Sequence, residues 1–199
     1  MAKAANRAQN PADLVRIGVV GHGVVGSAFT ALVARQQEVI AARTGISLEV
    51  TRIAVRDAAK HASRVGSATV STDALQVASA EDVDLVVEVM GGTTLAGDVI
   101  RTALEHGKPV VTANKALLAA QSADLFKIAD ERGIDLLFEA AVCGGIPLIR
   151  PLRESLRGEP IRRVLGIVNG TTNYILTRMT EDGLDYVTDR KSTRLNSSH

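Results

Sequence analysis

Gly21, Gly23 and Gly26 form a G-x-G-x-x-G run that closes a β-branched apolar segment and opens an amphipathic one. In that setting Gly21 permits a tight turn, Gly23 lets a pyrophosphate approach backbone N–H groups at the positive end of a helix, and Gly26 lets helix and strand pack closely. The pattern reads as a dinucleotide-binding loop, with an ordinary Gly-rich turn as the alternative and His22 as a solvated loop residue. Further along, Thr112-Ala113-Asn114-Lys115 puts a lysine at the first turn of a helix, where the dipole disfavours a cation. A lysine kept there suits donation of a hydrogen bond to a carbonyl undergoing reduction, or proton shuttling, rather than mere solvation. Glu139 precedes the turn Val142-Cys143-Gly144-Gly145-Ile146. One carboxylate with several carbonyls makes a hard-oxygen cation site, and a Glu capping a neighbouring helix explains the same residues equally well. Cys143, with no partnered His in evidence, reads as a packed small residue.

Two further loops bear on specificity. After the second strand come Arg56 and Asp57. An arginine there suits the 2′-phosphate of NADP and an acid suits the ribose diol of NAD, so the order favours NADP and leaves NAD open. Met90-Gly91-Gly92-Thr93-Thr94 lies between a strand and a helix, where small residues admit a ligand to the backbone; capping alone would account for the threonine pair.

These loops need elements to hold them. Apolar runs at 15–20, 48–55, 83–89, 109–112 and 135–138 read as strands. Helices fit from about residue 24 (burying Val25, Ala28, Phe29, Leu32 and Val33), over 93–106 and over 115–132, with Gly107 and Gly133 closing the last two. Residues 58–80 resist assignment. Strand and helix in alternation give a parallel α/β sheet whose ligand loops gather at the carboxyl ends of the strands. From residue 146 the pattern changes to a Pro-marked helix over 147–156, a turn, and a strand over 161–168 that ends in Asn169-Gly170-Thr171-Thr172. The expected organisation is a disordered leader (1–13), a nucleotide-binding domain (14–146), part of a second domain (147–187) and a polar tail (188–199) foreign to the fold.

Composition narrows the classes. The 199 residues are 46% hydrophobic and carry a net charge of +1 spread along the chain, which leaves no electrostatic footprint for nucleic acid. No apolar run is long enough to span a bilayer and residues 1–10 lack a signal-peptide core, so a cytoplasmic protein with no membrane partner is expected. One cysteine excludes an intrachain disulfide.

Taken together, G-H-G-V-V-G (21–26), V-V-E-V-M-G-G (86–92), V-V-T-A-N-K-A-L-L (110–118), E-A-A-V-C-G-G-I-P (139–147), P-L-R-E-S-L (151–156) and G-I-V-N-G-T-T-N-Y-I-L (166–176) closely resemble homoserine dehydrogenase. The resemblance covers roughly residues 14–187. It implies a Rossmann-like doubly wound parallel sheet followed by the start of an α+β substrate and dimerisation domain, and NAD(P)-dependent interconversion of L-aspartate 4-semialdehyde and L-homoserine, on the way to threonine, methionine and isoleucine. By motif match Lys115 becomes a catalytic lysine near nicotinamide and substrate, and Gly170 and Thr171 lie against the substrate. Val24, Val25, Gly92 and Thr93 line the cofactor, and Arg56 selects its phosphate. Glu139 with the carbonyls of Val142, Gly144 and Ile146 becomes a sodium or potassium site. The resemblance also implies a small-molecule substrate and a homo-oligomer at full length. The family's later signature, bearing an acid and a second catalytic lysine, is missing, and residues 189–199 resemble translated read-through. Cofactor binding without turnover is therefore the alternative expected of the chain as it stands.

Overall fold

Apolar runs joined by helices long enough to carry the chain back across a sheet favour parallel pairing. The computed structural model describes residues 13–61, 65–166 and 170–183. In it β1 (Asp13–Val20), β2 (Ile46–Ala54), β3 (Thr69–Ser71), β4 (Leu85–Glu88), β5 (Val110–Thr112) and β6 (Leu136–Leu137) form one sheet in the order β3-β2-β1-β4-β5-β6. Every pairing is parallel. The helices are α1 (Val24–Thr44), α2 (Ala58–His61), α3 (Ala74–Ser79), α4 (Thr94–Glu105), α5 (Lys115–Arg132) and α6 (Gly170–Glu181). None among the described residues is long and apolar enough to cross a membrane.

Alternate strand residues feed opposite faces. Val20, Val86 and Val110 join the cluster under α3, α4 and α5, while Val19, Val87 and Ile53 join a second cluster that Phe29 of α1 packs against. With both faces covered, the strands can be apolar throughout, as they are in the sequence.

Several expectations are corrected. The stretch 58–80 contains α2, β3 and α3, elements of three to six residues that are too short to show a period. Asp13 belongs to β1, not to a leader; residues 1–12 lie outside the described set. On α1, Gly26 and Val33 face inward while Val25, Ala28 and Leu32 are exposed. The helix is rotated because a Cβ on Gly26 would stand 2.1 Å from the Gly21 carbonyl oxygen, so that small face must touch the sheet.

The chain divides into compact units at Arg153/Glu154. Where the sequence predicts a helix over 147–156, a shorter helical segment forms: residues 149–150 are α-helical and run into a π-helical turn (Pro151–Ser155), with Pro151 in the first turn, where a missing N–H is tolerated. In the second unit, residues 161–166 form no strand: no other described segment of that unit offers a ladder, and Val164 and Leu165 stand exposed. Residues 167–169 and the tail from 184 lie outside the described set.

Candidate functional site

The strand order reverses direction between β1 and β4, and the crevice at the carboxyl ends of those strands is where an open parallel sheet receives a ligand. The Gly-rich turn sits there. Gly21 has φ +99°, and a Cβ on it would lie 2.7 Å from the backbone of Met90, so the turn after β1 and the turn after β4 are in direct contact. Gly23 is the N-cap of α1 and makes no side-chain cap bond. A Cβ there would meet nothing within 4 Å, which leaves open room beside the first-turn N–H groups. Val24 is 89% exposed and Val25 is also exposed, an apolar pair open to solvent at a helix start.

After β4, Gly91 and Gly92 take φ +75° and +76°. Thr93 occupies the N-cap of α4, but its side chain makes no cap bond, so capping does not account for the threonine. The contrast with other helices is informative. Asp73 caps α3 and Asn114 caps α5, whereas the two helices that begin beside the switch point, α1 and α4, have no side-chain cap. Their free N–H groups are available to an anionic or polar ligand.

Lys115 is the exposed first residue of α5. Asn114 directs it: Asn114 Oδ1 accepts from Leu117 N–H at 3.1 Å, and its Nδ2 donates to the Gly92 carbonyl at 2.7 Å. The lysine is thereby held beside the loop between β4 and α4. Sequence reasoning missed the acid behind this arrangement. Glu88, the last residue of β4, is fully buried and accepts from Met90 N–H at 2.9 Å, Gly91 N–H at 3.3 Å and Thr112 Oγ1 at 2.6 Å. Its only signal is a charged letter inside the run V-V-E-V.

Arg56 is exposed just past β2 and has no hydrogen-bond or ion-pair partner among the described residues, while Asp57 Oδ1 accepts from Lys60 N–H at 3.3 Å and so starts α2. His22 is not solvated but 5% exposed: its Nε2 lies 3.0 Å from Thr30 Oγ1 and its Nδ1 3.4 Å from His61 Nδ1. The tight turn at Gly21 folds the ring under the loop.

Glu139 lies in a 3-10 turn (Glu139–Ala141) and caps the segment that starts at Leu148. Oε1 accepts from Leu148 and Ile149 N–H at 2.8 and 3.2 Å, and Oε2 from Arg150 N–H at 2.7 Å. The capping alternative is thus formed. A cation remains compatible with it, because carboxylate oxygens have further lone pairs and no backbone N–H of the described residues donates to the carbonyls of Val142, Gly144 or Ile146. Cys143 is exposed, with φ +59°, so it is not a packed core residue; the turn through Gly144 (φ +59°) holds it outward. Gly170 opens α6 in the second unit, and the side chain of Thr171 lies outside the described set.

An all-parallel sheet in this order, with a Gly-rich turn and uncapped helix starts at its switch point, defines a dinucleotide-binding α/β protein. Residues 21–139 match the family model described as "Homoserine dehydrogenase, NAD binding domain", and residues 147–192 match one described as "Homoserine dehydrogenase". The chain belongs to the homoserine dehydrogenase family. It is 46% identical over 191 residues to homoserine dehydrogenase of Corynebacterium glutamicum, covering 96% of this chain and 43% of that protein. Among solved structures it resembles a homoserine dehydrogenase from Thiobacillus denitrificans (TM-score 0.83, 36% identity, 92% of this chain and 43% of that one). It also resembles a hyperthermophilic archaeal homoserine dehydrogenase in complex with NADPH (TM-score 0.76, 27% identity, 92% and 61%). The chain thus spans about two fifths of the length of the C. glutamicum protein.

Proposed function

We propose that this chain supplies the cofactor-binding part of an enzyme that interconverts L-aspartate 4-semialdehyde and L-homoserine with NADP, or less readily NAD. The observation that carries the reading is the switch-point crevice, where two uncapped helix starts and an approachable glycine turn converge. A nicotinamide cofactor bound there accepts or supplies the hydride. Gly21, Gly23 and Gly26 hold its pyrophosphate against the start of α1, while Val24, Val25, Gly92 and Thr93 line its path. Lys115 holds a proton on Nζ against the substrate oxygen, polarising the carbonyl and delivering that proton as the aldehyde becomes an alcohol. Gly170 and Thr171 lie against the small-molecule substrate. Arg56, free where Asp57 is engaged, binds the 2′-phosphate. Glu139 with the carbonyls of Val142, Gly144 and Ile146 holds a sodium or potassium ion that orders the turn. A cytoplasmic homo-oligomer is the expected full-length form.

The test is direct because the reduced nicotinamide is itself fluorescent. Titration should show binding, with NADPH preferred to NADH. An Arg56→Ala variant should lose about tenfold in NADPH affinity, the scale of one charge-assisted phosphate contact, and little for NADH. Absence of binding to either cofactor would sink the reading. Since the chain spans 43% of the C. glutamicum protein, binding without turnover is the second reading; measurable homoserine oxidation by the 199 residues alone would reject it.

A further inference from the structure

Glu88 is the only acid among the described residues that is fully buried. A carboxylate in that position is strongly unfavourable unless donors surround it, and three do. The sheet does not need it. β4 and β5 are already paired through Val86↔Val110, Val87↔Val111 and Glu88↔Thr112, with apolar clusters on both faces. Its side chain instead ties the loop after β4 to the end of β5, accepting from the N–H groups of Met90 and Gly91 and from the hydroxyl of Thr112. Thr112 Oγ1 accepts in turn from Asn114 N–H at 3.0 Å, so its one proton is committed to Glu88. Two more bonds span the same gap: Asn114 Nδ2 to the Gly92 carbonyl at 2.7 Å and Gln121 Nε2 to the Thr93 carbonyl at 3.1 Å. The loop thus clamped contains two successive glycines at positive φ, a segment with little conformational preference of its own.

We propose that Glu88 is a positioning residue: through Thr112 and Asn114 it fixes the 89–93 loop as the wall of the nicotinamide half of the cofactor cleft. In a doubly wound sheet the β1–β3 half takes the adenosine end, which leaves the β4–β6 half, where Glu88 lies, for the nicotinamide end. The inference rests on the dinucleotide reading above, and its test separates the two.

Two probes are titrated into the 199-residue chain: the complete cofactor and the same molecule lacking nicotinamide. These are NADPH and 2′-phospho-ADP-ribose, or NADH and ADP-ribose, whichever pair the wild type prefers. Glu88→Gln should weaken the complete cofactor about tenfold and the truncated probe by less than about twofold, the scale of losing ordered contacts on one half only. Thr112→Val should match Glu88→Gln, and Thr112→Ser, which keeps the hydroxyl, should retain wild-type binding of both. If Glu88→Gln does not fold, the Thr112 pair decides, since Thr112→Val removes the hydroxyl that Thr112→Ser keeps. A ratio of the two affinities unchanged in the variants overturns the positioning role. A wild type that binds neither probe sinks the dinucleotide reading instead.

Discussion

At the residue scale, the two glycines at either end of the first turn of α1 do different work, and substitution should separate them. A Cβ on Gly26 would collide with the Gly21 carbonyl oxygen at 2.1 Å, so Gly26→Ala must move helix or strand. It should cost about 3 kcal/mol in denaturant unfolding, the upper range for overpacking. Gly23→Ala meets nothing in the free protein. It should cost no more than about 1 kcal/mol, the scale of alanine for glycine at an N-cap, while cofactor affinity falls at least about tenfold, because the methyl fills the approach to the first-turn N–H groups. Equal effects of the two substitutions on stability would contradict the division. On the proposed function, Lys115 serves the chemistry rather than the fold. In a protein of the relatives' full length, Lys115→Ala should leave cofactor binding intact and cut turnover by about a hundredfold or more.

At the element scale, Glu139 joins a 3-10 turn to the start of the next helical turn through bonds to Leu148, Ile149 and Arg150. Losing them in Glu139→Ala should destabilise the protein by about 1 to 2 kcal/mol, as for a strong cap. The cation reading makes a separate claim. Melting temperature should rise when tetramethylammonium is replaced by potassium or sodium at constant ionic strength, and that increment should vanish in the variant. A wild type indifferent to the cation would leave Glu139 as a cap alone.

At the scale of the whole molecule, the edge of the sheet away from the crevice is held by charge. Arg16 Nε and Nη2 reach Asp84 Oδ2 and Oδ1 at 2.8 and 2.6 Å, and Arg16 N–H donates to Oδ2 at 2.8 Å, binding β1 to the start of β4. The hydrogen bonds from Arg16 hold the Asp84 carboxyl down to about 2, from 3.8. A carboxyl with a lowered folded value stabilises the protein above its unfolded value and loses that contribution as pH falls through the folded one. After allowance for solvent around a pair more than a third exposed, Asp84→Asn should cost about 1 kcal/mol at neutral pH. The difference from wild type should shrink between about pH 4 and pH 2; a gap that persisted at pH 2 would point to packing instead. The second unit presents a contrasting surface, with Leu165 84% exposed and Val164, Tyr174 and Leu176 also open to solvent. Such apolar exposure predicts concentration-dependent self-association of the 199-residue chain, measurable by sedimentation velocity and reduced in Leu165→Lys.

Elements whose patterns are long and locally encoded were legible in the amino-acid order itself. The bounds of α5 show in its apolar spacing and Gly133, and the Gly-rich turn in three glycines between a strand and a helix. Lys115 could be placed at a ligand edge because strand and helix alternate, and that alternation leaves few topologies. Features that depend on residues distant in the chain emerge only in the folded molecule. β3, three residues long, exists because β2 lies beside it. Residues 161–166 stay irregular because a strand requires a partner, and none is present in their unit among the described residues. The cap that Glu139 places on Leu148, the contact of His22 with His61 and the bond from Thr112 to Glu88 join residues 9 to 39 apart along the chain. Composition and spacing report the local preference of a segment; the environment of a side chain is a property of the neighbours that folding brings to it.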